Sequence, residues 1–380
     1  MTEETVAKHT CPDCRWLEER VDLDEGLNFA CAKGRLGSGS ALLTRTPCRD
    51  FAAPARPPAR RHRAAPARPW SPFLQTPDPD GLRAWNRDRK ELLPRPKIMT
   101  EHDAVRRFVK DGDYVGFELY GTVRCPLSIV REVIRQGRRR LRLLGQGLMD
   151  VDLLIAAGAV AALDLAYVGY ESHGLSPVLR RAVEKDGLPA KEWSNGALAW
   201  RLKAAAMGLP FLPTRSMLGS DTLRSSGVST MRDPYTGVAV ALLPALSPDC
   251  AVVHVQRCDV FGNSQIDGVL GFAPEIARAA KRLIVTTEEI VRPEFIQSAP
   301  ERTVIPFYLV DAVVYAPFGA HPGETCGIYR RDEEHVAAYL AAIATADGTR
   351  AYLDEWVHGL PDHWAYRRKV GFERLAGLAP

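Results

Sequence analysis

The sequence predicts an α/β fold, an open and largely parallel sheet, preceded by a small four-cysteine module. Three observations predict it. Strand-like and helix-like segments alternate from residue 98 onward. The basic excess lies wholly before that point, with 18 Lys and Arg against 13 Asp and Glu in residues 1–97 and 32 against 33 in residues 98–380. Twelve of the 28 prolines also fall before residue 97, and proline removes a backbone donor, so this quarter is ill suited to regular structure. A chain of 380 residues, 46% of them hydrophobic, can bury a sizeable core, and ~100 to 200 residues per domain allow two or three domains. Composition divides it into a module over 1–51, a linker and strap over 52–97, and a main domain over 98–380.

Cys11, Cys14, Cys31 and Cys48 form C-x2-C-x16-C-x16-C in a segment with too few apolar residues to fold by burial. Four thiolates suit tetrahedral Zn2+ or a 4Fe–4S cluster, and coordination supplies the folding energy that the segment lacks. A zinc ribbon usually has two C-x-x-C knuckles and this segment has one, so zinc, a cluster and unliganded thiols all stay open. Residues 52–70 carry five arginines, five prolines and no acid, the composition of an extended linker. With Trp70 at the segment's end as its one Phe, Tyr or Trp and no known module, nucleic acid is not an expected partner. Residues 70–96 read as an irregular strap.

In the main domain, spacing predicts a helix over 99–112 from a Thr100 N-cap to Gly112. A strand follows over 113–121, a helix over 126–137, a strand over 141–147 and a helix over 151–158. Residues 163–170 read as strand, 195–208 as helix, 209–214 as strand, and 248–259, 272–281 and 282–291 as strand, helix and strand. Such alternation implies right-handed crossovers between parallel strands, with ligands at the strands' carboxyl ends. The loops expected there are 118–126, 145–150, 171–177 and 216–221.

Several classes are excluded. The longest apolar stretch, Leu153 to Leu163, is too short for a membrane span. The N-terminus has acids and cysteines where a secretory signal needs a basic start and an apolar run, so the chain is expected in the cytoplasm. Gly145-x-Gly147 continues to Asp150 instead of a third glycine, which disfavours a Rossmann site. Walker A, G-x-S-x-G and H-E-x-x-H motifs are absent.

The blocks DGDYVGFELYGTVRCPLSIVREVIRQG, NGALAWRLKAAAMGLPFLPTRSMLGSD, PDCAVVHVQRCDVFGNSQIDG, AAKRLIVTTEEIV, VDAVVYAPFGAHP and LDEWVHGLPDH occur in that order. In these blocks residues 98–380 resemble the α subunit of class I CoA-transferases, most of all the glutaconate CoA-transferase type. The resemblance implies the open sheet of that family and an α2β2 assembly whose active site lies at the interface with a separate β subunit. There a glutamate of the β subunit attacks an acyl-CoA thioester, and CoA passes to an acceptor carboxylate, so no catalytic residue is expected in this chain. Its substrates would be acyl-CoA and a carboxylic acid. The C-x-D-C opening and the Cys48-Arg49-Asp50-Phe51 close resemble the small iron–sulfur subunits that accompany some glycyl-radical enzymes.

The same resemblance places Glu118, Tyr120, Gly121, Arg124, Gln146 and Asn195 at the substrate. Glu118, Leu119 and Tyr120 stand where the family commonly has Gly-Gly-Phe or Gly-Gly-Trp, and losing two glycines there should narrow or recharge the pocket. Gln146 stands where ketoacid transferases carry an asparagine. Asn195 matches a position held by glutamine in ketoacid transferases and by a catalytic glutamate in related ring-opening hydrolases. An amide is no general base, so hydrogen bonding to a substrate carbonyl fits better than hydrolysis. Plainer roles stand beside these: Glu118 paired with Arg124, Asn195 as a helix cap, Glu171 and His173 as an acid-base pair or surface residues, and His321 and Asp311 holding a turn and a strand end. One of Glu288 and Glu289 is expected buried and paired, and Cys125, Cys250, Cys258 and Cys326 are expected as small core residues. Two other functions remain open at this level: a CoA-thioester or C–C bond hydrolase subunit on the same scaffold, and a non-catalytic scaffold that docks through the cysteine module.

Overall fold

The computed structural model describes residues 77–117, 121–145, 147 and 149–380, with the backbone of 18–22 and 26–30. The chain divides into two compact units, Met1–Ala65 and Pro66–Pro380. In the first, β1 (Glu18–Asp22) pairs antiparallel with β2 (Gly26–Ala30), Glu18 opposite Ala30. Cys11, Cys14, Cys31 and Cys48, and the linker 52–70, lie outside the described residues.

The second unit opens with α1 (Pro79–Arg89), a helix where composition predicts an irregular strap. Asp78 accepts a hydrogen bond from Gly81 N at 2.9 Å, and Pro79 sits in the first turn, where a missing backbone donor costs nothing. Just beyond it Lys90 is buried, its Nζ donating to Leu309 O at 2.7 Å and to Asp311 at 2.5 Å. Burial pushes the Lys90 pKa down and Asp311 opposes the shift. Asp311 also accepts from Leu283 N at 2.7 Å, holding the strand end as expected of it.

Next come α2 (Glu101–Phe108), β3 (Tyr114–Phe117), α3 (Leu127–Arg135), β4 (Leu141–Gly145), α4 (Met149–Ala156), β5 (Val160–Leu165), α5 (Pro177–Glu184), β6 (Ala190–Glu192) and α6 (Asn195–Ala206). Thr100 caps α2 by accepting from Asp103 N, as its sequence predicts, but the helix ends at Phe108 because the buried Val109 is already extended. A second group is β7 (Phe211–Thr214), α7 (Asp221–Ser226), β8 (Thr230–Arg232) and β9 (Ala239–Pro244). The third is β10 (Cys250–Asp259), β11 (Ser264–Gln265), α8 (Ala273–Ala279), β12 (Arg282–Val291), α9 (Pro293–Gln297), β13 (Thr303–Ile305) and β14 (Ala312–Tyr315). Helices α10 (Glu333–Ile343), α11 (Ala346–Leu353), α12 (His363–Val370) and α13 (Phe372–Ala376) close the chain. None of the described helices is long and apolar enough to cross a membrane.

Parallel pairing runs β6-β5-β4-β3-β10-β12-β14, and β11 and β13 add short antiparallel pairs. The central strands β10 and β12 pair from Cys250 opposite Arg282 to Asp259 opposite Val291 and are buried over most of their length. Their nearly unbroken apolar and β-branched runs are what a sheet covered on both faces requires. The strand expected over 209–214 exists, but it pairs antiparallel in a separate sheet, β7-β9-β8, so loop 216–221 does not follow a strand of the parallel sheet. The three-residue β6 carries no alternation that periodicity could register.

Candidate active site

Strand order reverses between β3 and β10. From β3 the sheet grows outward through β4, β5 and β6, and from β10 it grows the other way through β12 and β14. Such a reversal opens a crevice outside the carboxyl ends of the two strands. Phe117, the last described residue of β3, pairs opposite Val252, and β10 runs on to Asp259. On that flank β11 pairs with Arg257 and Cys258.

Three described loops meet over the gap. Loop 121–126 follows β3, and its Arg124 is fully buried with a left-handed φ of 52°. Arg124 Nη1 donates to Val269 O at 2.6 Å and Nη2 to Leu270 O at 3.4 Å, gripping the second loop, 266–271. The third loop, 322–326, is tied to the first by Arg124 N donating to Glu324 O at 2.8 Å and Thr122 Oγ1 bonding the Glu324 carboxylate at 3.0 Å. Gln256 joins the second and third by donating from Nε2 to Asp267 O and Cys326 O, at 3.0 and 3.1 Å. Loop 171–177 arrives from β5: a β-carbon on Gly121 would stand 3.7 Å from the Glu171 carboxylate.

The site residues read from the sequence separate in this frame. Gly121, with φ 60°, and Arg124 lie on the crevice loop. Arg124 donates to two backbone carbonyls and so holds loop 266–271. Glu118, Tyr120 and Gln146 lie outside the described residues, as does Glu118's suggested pairing with Arg124. Asn195 is exposed at the end of β6, three strands from β3, about 14 Å across the sheet at ~4.8 Å per strand. It is not the cap of α6: Ser194 is, accepting from Ala197 N at 3.1 Å. His173 faces Glu333 at 3.6 Å, so the structure gives it a partner other than Glu171.

Behind the crevice Glu288 is buried and Glu289 exposed, as alternation along a strand requires. Glu288 Oε1 accepts from His254 Nε2 at 2.7 Å, Tyr329 OH at 2.6 Å and Thr325 Oγ1 at 3.3 Å, and Oε2 accepts from Phe318 N at 2.6 Å. Cys125, Cys250 and Cys258 are buried as expected, and burial pushes the last two thiols up to about 12. Cys326 instead is exposed on loop 322–326, and its sulfur would crowd a β-carbon on Gly268. Sequence reasoning missed loops 266–271 and 322–326. The one local signal was the Gly268-Val269-Leu270-Gly271 run, with left-handed φ at both glycines.

His321, Asp332 and His335 bring possible metal-ligand atoms within 4.8 Å of one another. The Asp332 carboxylate, however, accepts Arg374 Nε and Nη2 at 2.6 Å each, and His321 Nε2 at 3.0 Å. His321 Nδ1 bonds Tyr366 OH at 2.8 Å and His335 Nε2 bonds Tyr352 OH at 2.9 Å. A guanidinium already fills the cation's place, so the cluster holds the turn at His321 to the C-terminal helices, the structural role expected of that histidine.

Comparison with known proteins agrees with this architecture. The profile of the family described as coenzyme A transferase matches residues 98–316. The chain is 49% identical over 297 residues to an uncharacterized protein of Archaeoglobus fulgidus, a match that takes in 77% of this chain and 66% of the archaeal one. It is 35% identical over 279 residues to the A-type subunit of 3-oxoadipate CoA-transferase from Pseudomonas knackmussii, covering 72% of this chain and 98% of that one. Against the A-type subunit of glutaconate CoA-transferase from Acidaminococcus fermentans the identity is 34% over 303 residues, 74% of this chain and 94% of that one. The crystal structure of glutaconate CoA-transferase from that organism superposes with a TM-score of 0.73 and 33% identity over 75% of this chain and 96% of that chain. A sheet whose order reverses at β3 and β10, a family match over more than half of the chain, and near-complete coverage of two A-type relatives have one meaning: this chain belongs to the coenzyme A transferase family, on the α-subunit side.

Proposed function

We propose that this CoA-transferase α subunit works in the cytoplasm in an α2β2 assembly, where a β-subunit glutamate is the nucleophile that moves CoA from an acyl-CoA to a carboxylic acid. The observation that carries this reading is the condition of the chain's own carboxylates at the crevice. Among the described residues, Glu288 is buried with both oxygens accepting hydrogen bonds, Glu324 is bonded to Thr122, and Glu171 stands in an exposed loop. None of them is packed and aimed at the gap as an attacking group.

The partner carboxylate would attack the acyl-CoA carbonyl, breaking the C–S bond and leaving an acyl-glutamyl anhydride and CoA thiolate. The thiolate then attacks the glutamyl carbonyl, expels the first carboxylate and forms a glutamyl-CoA thioester. The acceptor carboxylate reverses these two steps and regenerates the glutamate. Covalent catalysis thus divides one difficult exchange into easier ones. This chain supplies the crevice walls, with Gln146 as an amide donor toward substrate oxygens.

Alone, the chain is expected to leave acyl-CoA intact. With its β partner and acyl-CoA present, borohydride or hydroxylamine should inactivate the complex and modify one partner glutamate, located by peptide mass spectrometry. Release of CoA into water without an adduct would identify hydrolysis instead and overturn the transfer reading.

The N-terminal module is proposed to be a structural metal site holding zinc or a 4Fe–4S cluster on Cys11, Cys14, Cys31 and Cys48, whose soft thiolates suit either. The order along the chain supports this, because Cys14 and Cys31 flank the described hairpin in sequence, shortly before β1 and directly after β2. Metal analysis of protein purified without oxygen should find one zinc, or iron with a visible thiolate-to-iron band, per chain. Finding neither would leave the cysteines as free thiols.

A further inference from the structure

The geometry points to Val269 and Leu270 as the specificity-determining residues of the acyl pocket, and to monocarboxylic acyl groups with an apolar chain as the substrate class. This rests on the transfer reading and deepens it.

Place is the first ground. Loop 266–271 follows β11 on the flank of β10 that also pairs with β3, so it lies at the switch point, where Gln256 and Arg124 hold it. There it exposes two apolar side chains in succession, Val269 at 49% and Leu270 at 39%.

Construction is the second. Single exposed apolar residues need no explanation, but these two are held out by a dedicated set of polar side chains. Arg124 is wholly buried and in a backbone conformation unfavourable for a non-glycine residue, and it donates to the carbonyls of these two residues. Gln256 brackets Asp267, donating to its carbonyl at 3.0 Å and accepting from its N–H at 3.2 Å. The Asp267 carboxylate is gripped by Arg257 at 2.5 Å and Arg302 at 2.8 Å. A loop fixed at both ends presents its side chains in one place, which is what selection among chains of different length and polarity requires.

Charge is the third. The described cations that reach this loop, Arg124, Arg257 and Arg302, are all engaged by the protein itself. The carboxylates around the gap, Glu171 and Glu324, would repel a second carboxylate on the acyl group. An apolar chain meets Val269 and Leu270 without that penalty. Arg124 is therefore a positioning residue, acting through the loop it holds.

The test uses the full chain in complex with its β partner. The intact complex should turn over hexanoyl-CoA with a higher kcat/KM than glutaryl-CoA. In the Val269→Ala/Leu270→Ala variant that preference should fall by about tenfold or more, chiefly through KM for hexanoyl-CoA, since even one methylene contact is worth roughly tenfold in discrimination. Arg124→Gln should shift KM in the same direction, with Arg124→Lys restoring part of it. Cys326 gives a readout independent of turnover: hexanoyl-CoA should slow its alkylation by iodoacetamide in the wild type, and less so in the double variant. A preference for glutaryl-CoA, unchanged selectivity in the double variant, or dissociation of the complex on size exclusion with selectivity retained would each overturn the proposal, the last by making the loop a subunit contact. A wild-type complex that transfers no CoA while hexanoyl-CoA still protects Cys326 would sink the transfer reading and leave the pocket assignment standing.

Discussion

Replacing Arg201 with Met is expected to destabilise the second unit by about 3 to 5 kcal/mol, because it strands a buried charge. Arg201 and Asp164 are fully buried and 3.5 Å apart. Arg201 also lies 4.0 Å over the Trp193 ring and donates from Nε to Pro244 O at 3.1 Å. Asp164 accepts Tyr114 OH at 2.6 Å and Trp193 Nε1 at 2.7 Å. These contacts join β3, β5, Trp193 just before α6, the middle of α6 and the end of β9, so they fasten the small antiparallel sheet to the parallel one. Burial, reinforced by Asp164, holds the Tyr114 hydroxyl well above its ordinary pKa, so it stays a donor. Urea unfolding followed by tryptophan fluorescence should show a midpoint shifted far down at unchanged slope. A loss below about 1 kcal/mol, the level of a single ordinary hydrogen bond, would mean that Asp164 is compensated without the arginine.

Asp332→Ala is expected to cost a smaller ~1 to 3 kcal/mol: Asp332 is buried but Arg374 is 39% exposed, so water screens the pair and the loss comes mainly from the helix cap and the charge-assisted hydrogen bonds. Asp332 caps α10 by accepting from His335 N at 3.0 Å, while it also binds Arg374 and His321. Hydrogen bonds from Arg374 and His321 overcome burial and hold its carboxyl far below the ordinary carboxylate range. A depressed carboxylate stabilises the fold at pH above its unfolded value near 3.8, and that contribution is lost as pH falls further. His335 acts in the same sense from a different cause. Burial, aided by the neighbouring His321, pushes its pKa from 6.5 down to about 3, so between those values the unfolded chain takes up a proton that the folded one refuses. Stability from this cluster therefore decreases as pH falls from about 6.5 to about 3. Asp152, raised to about 7 by burial, opposes the trend, so the comparison is between variant and wild type rather than within one curve. The difference in unfolding free energy between wild type and Asp332→Ala should be large at pH 7 and shrink below the ordinary carboxylate range. A difference independent of pH would show that the carboxylate's charge is not what holds the C-terminal helices.

The architecture was readable because its signals are local. Thr100, the runs VVHV in β10 and LIVTT in β12, and the glycines after α3 each state an element through capping, burial or conformational freedom. Other elements were hidden for equally physical reasons. The strand β6, Ala-Lys-Glu, lies at the end of the sheet order and owes its existence to pairing with β5. Phe211–Thr214 looks like any buried strand, and only its partner reveals that it belongs to another sheet. Pro79–Arg89 was obscured by the prolines around it, although Pro79 itself starts the helix.

The sequence by itself determined the fold class, the division between a basic, proline-rich quarter and a nearly neutral main domain, and the family, because periodicity and motif order need no knowledge of distant contacts. It also marked Gly121 and Arg124 as belonging to the loop after β3. Only the tertiary structure decided what Arg124 does, since its partners are the carbonyls of Val269 and Leu270, far along the chain. The structure alone likewise set Asn195 three strands from that loop and turned Cys326 outward while Cys125, Cys250 and Cys258 went to the core. A crevice at a switch point is assembled from segments that share no sequence neighbourhood, and the reversal of strand order between β3 and β10 appears only when the strands are laid side by side.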